Sequence, residues 1–245
     1  MKTTKPSKLY FPVKHAFDFT CALIGLILSG WLILLCMLAI KLSEPGAPVF
    51  YNSKRIGKNR KVFLMFKLRT MTYIQTGLRA ATEDTLTPVG KIVRKLSLDE
   101  LPQLFNILRG EMSFIGPRPM PLEYGPHFTE LEELRHTVRP GISGLAQVNG
   151  RSHLNWDRRF AYDVEYVQNL SLVMDFKLIV RTFSTVFTRK HVIADASSEI
   201  TMSFADWRIF TAAQANAKEC TCNDDCESDC KCGSASDERS IENAG

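Results

Sequence analysis

The pattern of hydrophobic and polar positions is dominated by one apolar run near the N-terminus. The 22 residues from Phe19 to Ile40 carry no formal charge, and roughly 20 apolar residues are enough for a helix that crosses a bilayer. A cleaved signal peptide is disfavoured because no small-residue cleavage site follows the run. The pattern therefore predicts a membrane-embedded helix over 14–41.

Positive charge on both sides of this run predicts a segment that enters the membrane and returns. Four lysines precede the run, and a basic cluster follows it between Lys41 and Lys61. Because Lys and Arg tend to remain on the cytoplasmic side, a spanning helix would export one of the two clusters. Ser29 and Gly30 mark the predicted break, since glycine weakens a helix and a serine hydroxyl can bond freed backbone groups. An ordinary single-pass anchor is the alternative.

Beyond the run, short apolar and polar segments alternate. Two short strands, at 49–51 and 62–66, are predicted around a polar turn. Helices are predicted at 89–96, 98–108, 130–138 and 156–169, the last capped by Asn155. The segment 172–187 is amphipathic with basic members, so it either packs on the core or lies in the membrane interface. The expected fold is mixed, mainly α with a few short strands: a re-entrant N-terminal helix and a compact cytosolic domain with amphipathic interfacial helices.

Charge divides the chain into further parts. Residues 1–192 carry 27 Lys and Arg against 15 Asp and Glu, whereas residues 193–245 carry 4 against 11. We therefore expect a basic segment at 1–13, the membrane helix, a cytosolic domain at 42–192 and an acidic tail at 193–245. The basic part implies an anionic partner. Nucleic acid is disfavoured because aromatic residues do not alternate with the basic ones in an RNA-binding pattern.

The acidic tail contains most of the cysteines. Five of them follow the spacing C-x-C-x3-C-x3-C-x-C, at Cys220, Cys222, Cys226, Cys230 and Cys232. Dense thiolates suit Zn²⁺ or Cu(I), although this spacing is not that of a standard zinc finger. The alternative is a disordered acidic tail without metal.

Two adjacent carboxylates, Asp99 and Glu100, are the main candidates for chemistry. Arg94 lies shortly before them, and Arg118 follows between two prolines that restrict its backbone and so aim the guanidinium. An aspartate can act as a covalent nucleophile toward phosphorus, and a divalent ion can neutralise a diphosphate. The alternative is structural: Ser97 and Glu100 match a helix capping box.

Four further basic residues could contact an anion. Lys67 and Arg69 alternate with apolar residues and would share one face of a strand. Arg139 and Arg151 bracket a glycine-rich loop, a setting suited to gripping a phosphate. Plain solvation is as plausible for each of them. The five histidines show no metal-ligand spacing.

Five segments, in this order, make the chain from about Lys14 to Lys190 resemble the bacterial sugar transferase family, the small monotopic phosphoglycosyl transferases. They are Lys14-His15-Ala16-Phe17-Asp18, Phe66-Lys67-Leu68-Arg69-Thr70-Met71, the segment 96–103 around Asp99-Glu100, the segment 112–119 that ends in Gly116-Pro117-Arg118-Pro119, and the segment 139–151 from Arg139-Pro140-Gly141 to Asn149-Gly150-Arg151.

The resemblance implies transfer of a phosphosugar from a UDP-sugar to undecaprenyl phosphate with release of UMP. It assigns the nucleophile to Asp99, a required role to Glu100, and phosphate contacts to Arg94, Arg118 and Arg151. Mg²⁺ is the implied ion, held at Asp99.

The resemblance also implies an enzyme at the inner membrane, with its catalytic domain in the cytoplasm and its membrane segment a helix-break-helix. Many members have Ser-Pro at the break, where this chain has Ser29-Gly30. A non-catalytic membrane scaffold with a metal-binding tail is the alternative function. The sugar and the oligomeric state are left open, a homodimer included.

Overall fold

Helices dominate the computed structural model of this protein, which describes residues 6–72, 86–150, 154–187, 204 and 206–208. All of these except Arg208 belong to the unit Met1–Trp207, and Arg208 opens a second unit, Arg208–Gly245. The α-helices of the described residues are α1 (Tyr10–Ser43), α2 (Pro88–Lys95), α3 (Gln103–Leu108), α4 (Glu130–Glu133), α5 (Leu145–Val148), α6 (Trp156–Gln168) and α7 (Leu172–Phe187). The fold is therefore mainly helical with few short strands.

Two small sheets complete the described fold. In the first, β1 (Ser53–Ile56) pairs with β2 (Val62–Met65) in antiparallel register. In the second, β3 (Ser113–Ile115) pairs with β4 (Gly141–Ser143) in parallel register. The predicted strand at 49–51 is wrong in position, because β1 lies inside the predicted turn. Residues 49–51 instead form backbone bonds with 67–69, including an isolated bridge between Phe50 and Leu68.

Two of the predicted helices differ from the observed ones because a 3-10 turn occupies part of each. The predicted helix 98–108 is divided into a 3-10 turn at Leu98–Glu100 and α3, because Pro102 cannot donate a helical hydrogen bond. The predicted helix 130–138 becomes α4 followed by a 3-10 turn, Leu134–Thr137. The Asn155 cap is confirmed: its side chain accepts a hydrogen bond from the Arg158 N–H at 2.9 Å.

Helix α1 is continuous, long enough and apolar enough to cross a membrane. The helix continues without interruption through Ser29 and Gly30, where the sequence predicted a break. The Ser29 hydroxyl donates to the Gly25 carbonyl at 2.6 Å, a bond within the helix that leaves the backbone ladder in place.

One stripe of α1 is buried along nearly the whole helix. Its buried positions recur every three or four residues up to residue 22 and again from residue 33, with half-buried positions between them: Tyr10, Lys14, Asp18, Ala22, Ile33, Cys36 and Ile40. This period is that of one helix face. The opposite face exposes large apolar side chains, including Phe17, Ile24, Ile27, Leu28, Trp31, Leu34 and Leu38.

A buried polar network holds the first turns of α1 on α6 and α7. Asp175 accepts hydrogen bonds from Tyr10 at 2.9 Å, from Lys14 at 2.8 Å and from Tyr166 at 2.7 Å. Lys14 therefore forms its ion pair with Asp175. Asp18, one helical turn after Lys14, accepts a hydrogen bond from the Phe114 N–H at 3.3 Å.

Helix α7 combines the two roles that the sequence left open. Leu178 is buried in the hydrophobic core beside Tyr166 and Ile115. The other face of α7 exposes Val173, Phe176, Val180 and Phe183, which recur at helical spacing. The helix thus packs on the core and also presents an apolar surface outward.

Candidate active site

The turn that carries Asp99 is held by packing and by one backbone bond. Leu98 packs against a buried cluster that includes Cys36, Ile40 and Leu68, so the turn lies on the C-terminal part of α1. The Asp99 carbonyl accepts a hydrogen bond from the Leu68 N–H at 3.0 Å. This bond places the residue before Leu68, which is Lys67, beside the Asp99 side chain.

Ser97 enters this turn in the left-handed region, with φ of 56°. Its side chain forms no capping hydrogen bond. The capping-box alternative for Ser97 and Glu100 is therefore not what the structure contains. A capping box occurs instead at the start of α4, where Thr129 and Glu132 bond each other's backbone.

The Asp99 carboxylate is almost fully buried and paired with one cation. Asp99 is 2% exposed, and its Oδ2 lies 2.8 Å from Lys67 Nζ. Burial raises the pKa of Asp99 above its ordinary value, while Lys67 and, more weakly, Arg94 lower it. The ionised carboxylate is therefore poorly solvated and depends on Lys67, which is a suitable state for a nucleophile.

Glu100 continues the charged cluster toward solvent. Its Oε1 lies 3.8 Å from Lys67 Nζ and 3.7 Å from Arg118 Nη2. The Glu100 side chain is 25% exposed and that of Arg118 is 48% exposed. Two carboxylates and three cations, including Arg94, thus lie close together just after α2, an arrangement that can bind and polarise a phosphate.

Three of the predicted anion-binding residues lie elsewhere or outside the described chain. Arg69 is buried, and its Nη2 pairs with Glu44 Oε2 at 2.8 Å, which connects the segment after β2 to the end of α1. Arg139 lies against Gly110 and lines a cleft with His15. Arg151 and the five tail cysteines fall outside the described residues.

Sequence reasoning missed Asn106, which holds the end of β2 and the residue before Lys67. Asn106 is fully buried on α3. Its side chain accepts from the Phe66 N–H at 3.0 Å and donates to the Leu64 carbonyl at 2.8 Å. Both partners are backbone atoms about forty residues earlier, so no local pattern marks this residue.

Sequence reasoning also missed a buried ion pair behind Arg118. Arg135 Nη2 donates to Asp163 Oδ2 at 2.8 Å and to the Arg118 carbonyl at 2.7 Å. Both side chains are 2% exposed. A signal for it exists in the sequence: Asp163 falls on the stripe that Trp156, Phe160 and Val164 form on α6, and a charged residue on a buried stripe needs a partner.

The described residues contain no group of three or more His, Cys, Asp or Glu that could hold a metal ion by themselves. Mg²⁺ is commonly bound by one or two carboxylates together with substrate phosphates and water. Asp99 and the partly exposed Glu100 provide such a pair beside Lys67 and Arg118. This donor set fits Mg²⁺ that arrives with a diphosphate.

A buried carboxylate that is paired with a lysine and lies beside a second carboxylate suits chemistry at phosphorus, and comparison with known proteins gives the family. The model of the Bacterial sugar transferase family matches residues 9–189. The chain belongs to this family.

Several curated proteins are similar to the chain over most of its length. The chain is 40% identical to the uncharacterized sugar transferase EpsL of Bacillus subtilis (strain 168) over 182 residues, which is 74% of this chain and 90% of EpsL. It is 39% identical over 194 residues to the exopolysaccharide production protein ExoY of Sinorhizobium fredii (strain NBRC 101917 / NGR234), 71% of this chain and 84% of ExoY. It is 40% identical over 193 residues to the undecaprenyl-phosphate glucose phosphotransferase of Komagataeibacter xylinus, covering 72% of this chain but 36% of that longer protein.

Proposed function

We propose that this protein transfers a sugar 1-phosphate from a UDP-sugar to undecaprenyl phosphate and so initiates the assembly of a surface polysaccharide or glycoconjugate. Two relatives with 40% identity are named as glucose phosphotransferases that use undecaprenyl phosphate. The observation that carries the proposal is the buried Asp99 carboxylate, 2.8 Å from Lys67 and next to Glu100 and Arg118.

In the proposed reaction, a carboxylate oxygen of Asp99 attacks the phosphorus that bears the sugar. The bond from this phosphorus to the bridging oxygen breaks, and its electron pair leaves with UMP. The resulting acyl phosphate joins Asp99 to the phosphosugar. A phosphate oxygen of the lipid then attacks the same phosphorus, which restores the carboxylate and gives undecaprenyl diphosphosugar.

The cations near Asp99 and Glu100 have distinct roles in this proposal. Lys67 keeps Asp99 ionised, and Arg94 and Arg118 bind the diphosphate oxygens. Glu100 and Asp99 would hold Mg²⁺ together with the diphosphate, and the bound ion would neutralise charge on the phosphates.

We further propose that α1 lies in the cytoplasmic membrane without crossing it, with the catalytic domain on the cytoplasmic side. Its buried stripe extends from Tyr10 to Ile40 on the domain, so a crossing orientation would carry part of a polar domain into the hydrocarbon. The opposite face is apolar over its length and suits lipid. The Asp99 turn rests on this helix through Leu98, so the site lies near a lipid acceptor.

The direct test of the function is a screen with UDP-sugars and the purified protein in detergent or nanodiscs. With undecaprenyl phosphate present, one UDP-sugar is expected to give continuous UMP release. With lipid withheld and the donor labelled in the sugar phosphate, one label per chain is expected on Asp99. Absence of UMP release with every UDP-sugar, from a folded preparation, would contradict the proposal and favour the scaffold.

Replacing Lys67 with methionine is expected to shift the pH dependence of the reaction. Lys67 lowers the pKa of Asp99, so its removal raises that pKa further and leaves less nucleophile ionised at a given pH. The acid limb of kcat/KM for the UDP-sugar should therefore move to higher pH in Lys67→Met. It should move less in Lys67→Arg, which keeps the charge. Lys61→Met, which removes an exposed lysine directly before β2, serves as the matched control. An unshifted acid limb in Lys67→Met would count against this role.

The placement of α1 is tested by labelling single cysteines in intact cells. The seven native cysteines are first replaced by serine or alanine, and Lys8→Cys or Ser43→Cys then marks one end of the helix; both positions are exposed. A membrane-impermeant thiol reagent is expected to label neither position in intact cells and both after permeabilisation. Labelling of one end from outside would establish a spanning helix.

A further inference from the structure

Three arginines from three separate elements are held together beside the candidate site. Arg55 lies on β1, whose Ile56 N–H donates to the Met120 carbonyl at 3.0 Å, two residues after Arg118. Arg159 lies on α6, one helical turn before Asp163, and Asp163 is connected through Arg135 to the Arg118 carbonyl. One backbone bond and a buried ion pair therefore hold together the elements that carry Arg55, Arg118 and Arg159. We call these three residues the arginine cluster.

The charges of the arginine cluster act on one another. Burial lowers the pKa of Arg55 and of Arg159, and in both cases the positive charge of Arg118 lowers the pKa further. Like charges held close together and partly removed from water destabilise the folded chain unless an anion compensates them. Glu123 acts against this effect at Arg55 and Asp163 acts against it at Arg159, and an anionic ligand would compensate the positive charge further.

Two members of the cluster, Arg55 and Arg118, have side-chain donors available for a ligand, whereas Arg159 already lies over the Trp156 ring at 4.4 Å. Within the described part of the chain, Arg55 forms no ion pair, and its one side-chain hydrogen bond runs from Nε to Ser53 Oγ at 3.1 Å. The Arg118 side chain is 48% exposed, and its contact with Glu100 at 3.7 Å is longer than a hydrogen bond. The forks of these two guanidinium groups are therefore free to bind oxygens in pairs, the geometry that a phosphate offers.

The position of the cluster indicates which phosphate it would take. Arg118 contacts Glu100 and therefore belongs both to the Asp99 site and to the arginine cluster. The cluster would thus lie next to the phosphate that Asp99 attacks. The Asp99 turn meets α1 through the buried cluster of Cys36, Ile40 and Leu68, to which neither β1 nor α6 contributes. A lipid acceptor would approach along α1, whereas the arginine cluster is built on β1 and α6.

We propose that Arg55 and Arg159 join Arg118 in a second anion subsite, which binds the phosphate of the nucleoside monophosphate half of the donor. This subsite rests on the proposed function. When Asp99 attacks, the bond to the bridging oxygen breaks and negative charge grows on that phosphate. The arginine cluster then stabilises the leaving UMP more strongly than the bound donor, so it contributes to the rate as well as to binding.

The subsite is tested by calorimetric binding of UMP and of uridine to the full chain in nanodiscs. The double variant Arg55→Met/Arg159→Met is expected to bind UMP about 100-fold more weakly than wild type, since a hydrogen bond to a charged group accounts for roughly tenfold each. Uridine, which lacks the phosphate, is expected to bind both proteins equally. Arg60→Met is the matched control, because Arg60 is an exposed arginine of the same hairpin that pairs with Glu133, and its UMP binding should equal that of wild type.

Three outcomes would overturn the subsite. Equal UMP binding by wild type and the double variant overturns the subsite alone, while failure of wild type to bind UMP overturns the proposed function as well. A raised KM for undecaprenyl phosphate with unchanged UMP binding would assign the cluster to the lipid. If thermal unfolding reveals that the double variant is misfolded, Arg55→Lys/Arg159→Lys takes its place: it keeps the charge, loses the paired fork and should weaken UMP binding about tenfold.

Discussion

Replacing Asp99 with asparagine is expected to abolish sugar-phosphate transfer and leave the protein folded. Asparagine keeps the size of the side chain but cannot attack phosphorus, so UMP release should fall to below about one ten-thousandth of the wild-type rate. The covalent label obtained without lipid should disappear as well. Continuous UMP release and trapping with labelled donor measure the two effects.

The stability of Asp99→Asn distinguishes a catalytic from a structural carboxylate. Burial raises the pKa of Asp99, so folding favours its protonated form. The stability that this group contributes is present at low pH and is lost as pH rises through the raised pKa. At neutral pH the ionised carboxylate is therefore a cost to folding, and neutral asparagine should give a Tm equal to or above that of wild type. Lys67 retains Glu100 as a neighbour. Turnover that survives in a folded Asp99→Asn protein would exclude the proposed nucleophile.

The elements that could be predicted from the sequence are those whose pattern repeats over several turns. Helix α7 has the predicted bounds because its apolar residues recur at helical spacing over 16 residues. The Asn155 cap was predictable because one side chain and one backbone N–H three residues later suffice to form it. Strands β3 and β4 have three residues each, which is too short for an alternating pattern to be recognised, and their pairing joins segments that are distant in the chain.

The candidate site divides in the same way between local and distant determinants. Asp99 and Glu100 are adjacent, and Pro117 and Pro119 flank Arg118, so local sequence marks all three. Lys67, and not Arg69, pairs with Asp99, because a backbone hydrogen bond joins residues 68 and 99. The sequence predicted that Lys67 and Arg69 share one face of a strand, because side chains alternate along a regular strand. Strand β2 ends at Met65, so this alternation does not extend to the two residues.

Breaking the buried pair of Arg135 and Asp163 is expected to have the second large effect. Burial raises the pKa of Asp163 to about 6, while Arg135 acts to lower it. In Arg135→Met the carboxylate loses this partner inside the protein, which costs roughly 3–5 kcal/mol of unfolding free energy. Thermal unfolding in detergent measures the loss. Arg158→Met is the matched control, since Arg158 is exposed on the same helix as Asp163 and its removal should change the stability little.

The double variant Arg135→Leu/Asp163→Leu separates the structural role of this pair from its effect on the site. Replacing both charges by apolar side chains removes the stranded carboxylate, so most of the lost stability should return. The hydrogen bond from Arg135 to the Arg118 carbonyl, 2.7 Å in the intact protein, remains absent, and the loop between Pro117 and Pro119 loses that support. We therefore expect the KM for the UDP-sugar to stay raised, by about tenfold for one lost charged hydrogen bond, while the KM for undecaprenyl phosphate is unchanged. Full recovery of both stability and KM would mean that Arg135 serves the core alone and that the Pro117–Pro119 loop holds Arg118 without it.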